Sequence, residues 1–537
     1  MNSTLRIASV LLFLLFLISS CKQENSLIPK PTSVIKGGDE FKFTNTTSIV
    51  VPSGDKELLL LANYLAEKLR PATGLPLLVS ADKKVQEKDI IFLGLIEEKP
   101  LGEEGYKLVT DKKSITLIAN QAAGLFRGIQ TLRQLLPAQI ESSSLKEGIE
   151  WTVPSVTIND TPAYAWRGSM LDVARHFFSV EDVKKYIDYI AAYKMNVLHL
   201  HLSDDQGWRI EIKSWPNLTT RGGSTQVGGG KGGFYTQEQY ADIVAYAQKQ
   251  YITIVPEIDL PSHINAALAS YGELNGGLTI VPKEGKINLS TNTGVLGEKN
   301  KPTELYTGIE VGFSTLQLKQ EATFRFVNDV IRELAAITPG AYIHIGGDEA
   351  HVTKKEEYIE FINKFYDIVK ANGKKMIGWE EIAQANISGD IIAQHWASQK
   401  YAQLAVEKGG MVLMSPAKKV YLDMQYDSTS KLGLHWAAYI EVKDAYDWEP
   451  TTDVSGITRE NIVGVETPLW SETITNLSEI EYLLFPRMPG IAEIAWSKPD
   501  GRSWDEYKIR LAAHGSRFEA MGINYYKAKS VPWKLDK

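Results

Sequence analysis

Ala341-Tyr342-Ile343-His344-Ile345-Gly346-Gly347-Asp348-Glu349-Ala350-His351 is a short apolar run that ends in two glycines and two adjacent carboxylates. Ile343 and Ile345 fall on one face and Tyr342 and His344 on the other, the two-residue period of a buried strand. The glycines remove side chains where a ligand can approach the backbone. Because consecutive strand side chains point opposite ways, Asp348 and Glu349 serve one substrate only if the strand has already ended. Two carboxylates forced together do not both ionise freely. One of them is therefore expected to hold a proton more readily than a surface acid, as a general acid must. The competing reading is a solvated turn with an N-cap aspartate, and the rest of the chain decides between them.

Working outward, short apolar runs alternate with helical segments from Trp166 onward, the rhythm of parallel β/α units. Candidate strands are Arg167 to Val173, Asn196 to Leu202, Thr253 to Ile258, Tyr342 to Gly346, Lys375 to Trp379, Ile391 to Trp396, Gly410 to Met414 and Ile462 to Thr467. Eight such runs predict an α/β chain whose larger part, residues 161–537, is a (β/α)₈ TIM barrel. Thr236 and Gln239 form a capping box that opens a helix over Gln237 to Lys249. Barrels of this kind place their chemistry at the C-terminal ends of the strands, so reactive side chains should collect after each run. They do: Asp172, Arg175 and His176; Asp204 and Asp205; Glu257, Asp259 and His263; Asp348 and Glu349; Trp379, Glu380 and Glu381; His395 and Trp396; Tyr421 and Asp423; Trp470 and Glu472. Arg167, at the start of its run, is the exception. Indoles beside carboxylates suit a sugar, whose C–H faces stack on aromatic rings while its hydroxyls need directional acceptors.

Upstream of the barrel, residues 46–160 read as a smaller α+β domain without a catalytic cluster. Its helices are expected at Lys56 to Arg70, ending at Pro71-Ala72-Thr73-Gly74, and at Gln121 to Leu136, with strands at Asp89 to Leu93 and Ser114 to Ile118. Net charge is 58 − 65 = −7 over 537 residues, with the basic residues dispersed, which argues against a nucleic-acid partner. Arg6 followed by the apolar run Val10 to Ile18 marks residues 1–20 as an export signal too short to span a bilayer comfortably. Cys21, the sole cysteine, follows Ile18-Ser19-Ser20 as in a bacterial lipobox. It is the expected site of lipidation and membrane anchoring, with residues 21–45 as a tether. Lys22 in place of an aspartate points to outer-membrane sorting.

On these residues the chain resembles glycoside hydrolase family 20, the β-N-acetylhexosaminidases. The motifs that carry the resemblance are Arg167-Gly168 through Leu171-Asp172-Val173-Ala174-Arg175-His176-Phe177, His199 through Arg209, Val255-Pro256-Glu257-Ile258-Asp259-Leu260-Pro261-Ser262-His263, His344 to His351, Tyr421-Leu422-Asp423 and Trp470-Ser471-Glu472. The resemblance implies an exo-acting, retaining hydrolase of terminal β-linked N-acetylglucosamine or N-acetylgalactosamine on oligosaccharides or glycoconjugates, using no cofactor and no metal. The sugar's own 2-acetamido oxygen would be the nucleophile, through an oxazolinium intermediate. Glu349 would be the general acid, and Asp348 would accept the acetamide N–H. Arg167 would bind ring hydroxyls, Asp423 and Glu472 would hold O4 and O6, and Tyr421 would donate to the acetamide carbonyl. Trp379, Trp396 and Trp470 would wall the sugar pocket, and Asp204 with His263 would tune Glu349 from behind. Ser262 and Glu380 depart from the residues common at those places.

Two rival readings can be stated in chemical terms. A metal-dependent hydrolase could draw on His199 and His201, which share a strand face, with His344, Asp348 and His351; yet that histidine pair lies within its strand rather than beyond its end. A carbohydrate-binding lipoprotein would keep the tryptophans and lose the acid, whereas this chain keeps both acids. The glycine-rich stretch Gly228 to Gly233 has no Ser or Thr after Lys231 and reads as a loop, not a phosphate cradle.

Overall fold

The computed structural model describes residues 26–81, 88–277 and 298–533. The stretch expected to be an export signal and the expected lipidation site, Cys21, lie outside the described residues. Two bodies of structure follow one another along the chain.

The first is a seven-stranded mixed sheet. Its strands are β1 (Ser33–Lys42), β2 (Ser48–Val51), β3 (Leu78–Ala81), β4 (Ile90–Leu95), β5 (Tyr106–Thr110), β6 (Ser114–Ala119) and β7 (Thr152–Asp160), in the order β1-β7-β5-β6-β4-β2-β3. Two helices, Lys56–Thr73 and Ala122–Leu135, cover it. The first helix runs through Pro71 and stops at Gly74, which takes the left-handed conformation (φ 66°). From Ser26 onward, the stretch expected to be a tether is part of this body. Leu27 and Ile28 are buried, and β1 pairs antiparallel with β7 from Ser33↔Asn159 to Lys42↔Thr152. Its composition hid it because β1 is the sheet edge, where Lys36, Asp39, Glu40 and Lys42 face solvent.

The second body is a closed barrel of eight parallel strands. They are β8 (Trp166–Asp172), β9 (Val197–His201), β10 (Thr253–Glu257), β11 (Tyr342–His344), β12 (Lys375–Trp379), β13 (Ile391–His395), β14 (Met411–Met414) and β15 (Ile462–Leu469). Each coincides with one of the eight apolar runs, and β15 closes on β8 in register Gly464↔Trp166. The strands are buried on both faces because helices wrap the outside and side chains fill the inside. The Thr236 capping box forms and opens the helix Gln237–Gln248. Among the described residues, no helix is long and apolar enough to cross a membrane.

The two bodies meet at the N-terminal face of the barrel, and Arg167 sits there. Its Nη2 pairs with Glu104 at 2.5 Å, its Nε donates to the Lys194 carbonyl and its Nη1 to the Tyr164 carbonyl, both at 2.9 Å. Arg127 holds the same Glu104 carboxylate at 2.8 Å. The two guanidiniums outweigh the cost of burial and bring Glu104 down to about 2. Expected to bind the sugar, Arg167 instead clamps the smaller domain to the barrel, because a residue at a strand start faces away from the site.

Candidate active site

β11 is only three residues long, and the chain then turns sharply. Gly346 and Gly347 adopt φ of 66° and 98°, and Glu349 itself lies at 48°. A Cβ on Gly346 would stand 1.8 Å from Asp259 Oδ1, an oxygen that accepts the Gly347 N–H at 3.0 Å. This turn releases Asp348 and Glu349 from strand alternation and lets both reach one cavity. Ser262 Oγ fixes it by donating to the Asp348 carbonyl at 2.5 Å.

The cavity encloses about 320 Å³ at the C-terminal mouth of the barrel, the size of a single sugar ring with a substituent. Its reactive wall is Arg175, His263, Asp348, Glu349, Asp423 and Glu472, and its aromatic wall is Trp396, Tyr421, Trp436 and Trp470. Trp436 stands edge-on to both Trp396 and Tyr421 at 6.0 Å. Trp379, expected on the wall, is not among the lining residues. It packs 5.7 Å behind Trp470 and donates its indole N–H to Glu257 at 2.9 Å.

Arg175 fills the place expected for Arg167. Its Nη2 lies 2.8 Å from Asp204 Oδ2, its Nη1 3.4 Å from Asp172 Oδ2, and its guanidinium covers the Trp470 ring at 4.8 Å. The sequence marked Arg175 as a strand-end residue but assigned it no role. Trp436 and Leu434, on the loop after β14, and Ile309 and Val311, on the long β10–β11 connection, also line the cavity. They carried no strand-end signal.

Behind the pair, His263 Nδ1 lies 3.3 Å from Asp204 Oδ1, and its Nε2 is 3.4 Å from Glu349 Oε2 and 3.7 Å from Asp348 Oδ2. Asp204 itself is held near the bottom of the acid range, since the Arg175 and His263 charges overcome its burial. Burial, with the Glu349 and Glu257 charges, pushes the Asp348 carboxyl up to about 6 against the pull of His263. Burial also pushes Glu349 up, but the His263 contact and the His351 and Arg175 charges outweigh it, leaving Glu349 below its ordinary value. The expected proton-holder of the unliganded pair is therefore Asp348: both acids face His263, but Asp348 also feels the Glu349 and Glu257 charges, whereas Glu349 is further offset by His351 and Arg175.

Five polar atoms of the wall have no hydrogen-bond partner although they are buried: Asp348 Oδ1, Asp423 Oδ1, Glu472 Oε2, Arg175 Nε and His263 Nε2. Leaving such groups unpaired costs roughly 1–3 kcal/mol each, and a polyhydroxylated ligand removes that cost. Burial raises both Asp423 and Glu472 from their ordinary values, with the Glu472 charge adding for Asp423 and Arg175 opposing for Glu472. The histidines weighed as metal ligands divide. His199 and His344 converge on Glu257 in the barrel interior, whereas Asp348 belongs to the cavity and His351 to a neighbouring cleft.

Residues 164–499 match the catalytic domain of glycosyl hydrolase family 20, and residues 24–161 match domain 2 of that family. The chain is 41% identical over 512 residues to a beta-N-acetylhexosaminidase of Cellulomonas fimi, covering 95% of this chain and 97% of that protein. It is 34% identical to a beta-hexosaminidase of Porphyromonas gingivalis, covering 93% of this chain and 64% of the relative. Among solved structures, the GH20 beta-N-acetylhexosaminidase of Streptomyces coelicolor A3(2) superposes with a TM-score of 0.88 at 46% identity, over 95% of this chain and 99% of that one. A Streptomyces plicatus beta-hexosaminidase mutant in complex with the product GlcNAc gives the same TM-score at 45% identity, over 95% of this chain and 98% of that one.

Proposed function

Because this chain belongs to glycosyl hydrolase family 20, we propose that it is an exo-acting, retaining β-N-acetylhexosaminidase in which the substrate supplies the nucleophile. The observation that carries this reading is that two adjacent acids share one sugar-sized cavity with a single histidine behind both. An enzyme nucleophile has to stand across the ring from the acid. Neighbours in sequence that meet on one side of the cavity leave that place to the sugar's own amide oxygen.

In the first step the acetamido oxygen attacks C1 while Glu349 passes its proton to the glycosidic oxygen, and the aglycone departs as an alcohol. Asp348 accepts the acetamide N–H and offsets the positive charge that forms on the oxazolinium ring. In the second step Glu349 takes a proton from water as the water oxygen attacks C1, which reopens the ring with retention. Binding redistributes the proton preference. An N–H donated to Asp348 favours its ionised form, and a sugar that dehydrates Glu349 favours its neutral form. The two acids exchange roles as the cavity fills.

Arg175 suits two vicinal hydroxyls with its planar donors. Asp423 and Glu472 suit O4 and O6, and Tyr421 stays a neutral hydroxyl donor because burial and the Asp423 and Asp348 charges push it far above its ordinary value. Trp470 and Trp396 suit the faces of the sugar and the acetamido methyl, with Trp379 as a support behind. The substrates are oligosaccharides or glycoconjugates ending in N-acetylhexosamine. We assign the mature chain to the outer membrane through lipid on Cys21; a Cys21→Ser chain released in soluble form would accord with this, and one that stayed with membranes would not. The functional reading is tested by comparing an aryl β-N-acetylglucosaminide with the plain β-glucoside, which lacks the amide. Comparable rates on the two would remove amide participation.

A further inference from the structure

Beneath the cavity, acids and imidazoles alternate through the barrel interior. Glu466 Oε1 lies 2.8 Å from His199 Nδ1, and His199 Nε2 lies 3.0 Å from Glu257 Oε2. Glu257 Oε2 lies 2.5 Å from His201 Nδ1, and His201 Nε2 lies 3.0 Å from Asp204 Oδ2. Asp204 then meets His263, and His263 meets Glu349 and Asp348. Every acid and imidazole between Glu466 and His263 is buried.

The pattern fixes where protons sit. A neutral imidazole has one N–H, so between two carboxylates it turns a lone pair toward one of them; only the imidazolium donates to both. His199, His201 and His263 each stand between carboxylates. The far end is tied by Trp166 Nε1 and Gln394 Nε2, both donating to Glu466 at 2.9 Å. The fourth imidazole of the cluster, His344, differs. Its Nδ1 is 2.9 Å from Glu257 Oε1 and accepts the Gly346 N–H at 3.1 Å, and its Nε2 faces no carboxylate. Of the other three, only His201 hydrogen-bonds carboxylates through both nitrogens; His199 and His263 do so through Nδ1, their Nε2 atoms lying near a carboxylate oxygen without a hydrogen bond.

We propose that His201 is a positioning residue for the reaction, a buried cation that acts through Asp204 and His263 to set the proton affinity of the Asp348–Glu349 pair. This rests on the hydrolase reading above. Around His201 the charged groups are Glu257 on β10, Asp204 beyond β9, Asp172 at the end of β8, Asp259 after β10 and, through Asp204, Arg175; the edge of Trp470 closes the remaining side at 4.9 Å. Glu257 and Asp204 outweigh burial and hold His201 far above the ordinary histidine value, and His199 rises to about 9 for the same reason, whereas burial lowers His344. The column therefore alternates in sign up to the reacting acids, and deleting one cation from it makes the potential at those acids more negative.

The test is the pH dependence of kcat/KM on an aryl N-acetylhexosaminide for His201→Gln, His199→Gln and His344→Gln. His201→Gln should displace both limbs toward higher pH by roughly 0.5–1 unit, His199→Gln in the same direction by less, and His344→Gln not at all. A His201→Gln profile that superposes on the parent, or a His344→Gln shift as large, would overturn the proposal. Should the substitutions prevent folding, assigned imidazole nitrogen shifts of the unaltered protein at pH 8 decide it. Two protonated nitrogens on His201 support the proposal and a neutral ring overturns it. A parent protein inactive on N-acetylhexosaminides would refute the hydrolase reading instead, and the nitrogen shifts would still report on His201.

Discussion

Exchanging either of two arginines for lysine separates the site from the scaffold. Arg175 commits one Nη to Asp204 at 2.8 Å and has an unpartnered buried Nε. In Arg175→Lys the charge and the Asp204 pair can persist, but the planar fork offered to two sugar hydroxyls becomes a single point contact. One charge-assisted hydrogen bond is lost, worth roughly 1.5–3 kcal/mol, so kcat/KM should fall by roughly 10- to 150-fold. Arg167→Lys instead loses its bonds to the Lys194 and Tyr164 carbonyls, while Arg127 still neutralises Glu104. That costs roughly 1–3 kcal/mol of stability and should leave kcat/KM of the folded enzyme within about twofold of the parent, since nothing is lost in the transition state. Steady-state kinetics on an aryl N-acetylglucosaminide, with thermal melts of both variants, make the comparison. If Arg167→Lys loses activity to the same extent as Arg175→Lys while still folded at the assay temperature, the assignment of the sugar-binding arginine is wrong.

The productive form of the pair carries one proton, and with Asp348 pushed up to about 6 and Glu349 held below its ordinary value the free pair loses that proton as pH rises through about 6, so kcat/KM should decline on the alkaline side of about 6. Asp348→Asn leaves Glu349 alone to hold the proton and should move that limb to lower pH along with much of the rate, and a limb that stays at about 6 would point to another group. Gly346→Ala would place a methyl 1.8 Å from Asp259 Oδ1 at a φ of 66°, so both melting temperature and activity should drop sharply; a variant with parental kinetics would show that the turn is not needed. Glu349→Gln should lower turnover of poor leaving groups by roughly 10²- to 10⁴-fold and that of activated aryl groups much less. Equal losses on both would argue against a proton donor.

Much of this site could be read from the chain because a parallel barrel converts order in sequence into position in space. Apolar runs announce strands, and whatever follows each run lies at the mouth; Asp348, Glu349, Asp423, Trp470 and Glu472 were placed that way. The same rule, applied strictly, would have rejected Arg167, which precedes its strand, in favour of Arg175, which follows it. What remained hidden depends on how loops return. Trp436 comes back to the mouth on a loop pinned by Arg487, whose guanidinium donates to the Met424 and Ile440 carbonyls, and no local pattern encodes that contact. Which acid of the pair holds the proton is equally out of reach of the sequence, since both face His263 and the balance turns on His351 and Arg175 beside Glu349 against Glu349 and Glu257 beside Asp348. The edge strand β1 is hidden for the opposite reason, its exposed lysines and acids resembling a linker.

The most direct test of an amide nucleophile is to weaken the amide alone. In a series of aryl 2-acetamido glycosides whose acetyl methyl carries zero to three fluorines, the carbonyl oxygen becomes a steadily poorer nucleophile while the leaving group stays fixed. If the sugar attacks its own anomeric carbon, kcat should fall with each fluorine, by at least about tenfold across the series, equivalent to about 1.4 kcal/mol or more in the barrel's transition state. A kcat indifferent to fluorination would contradict the account.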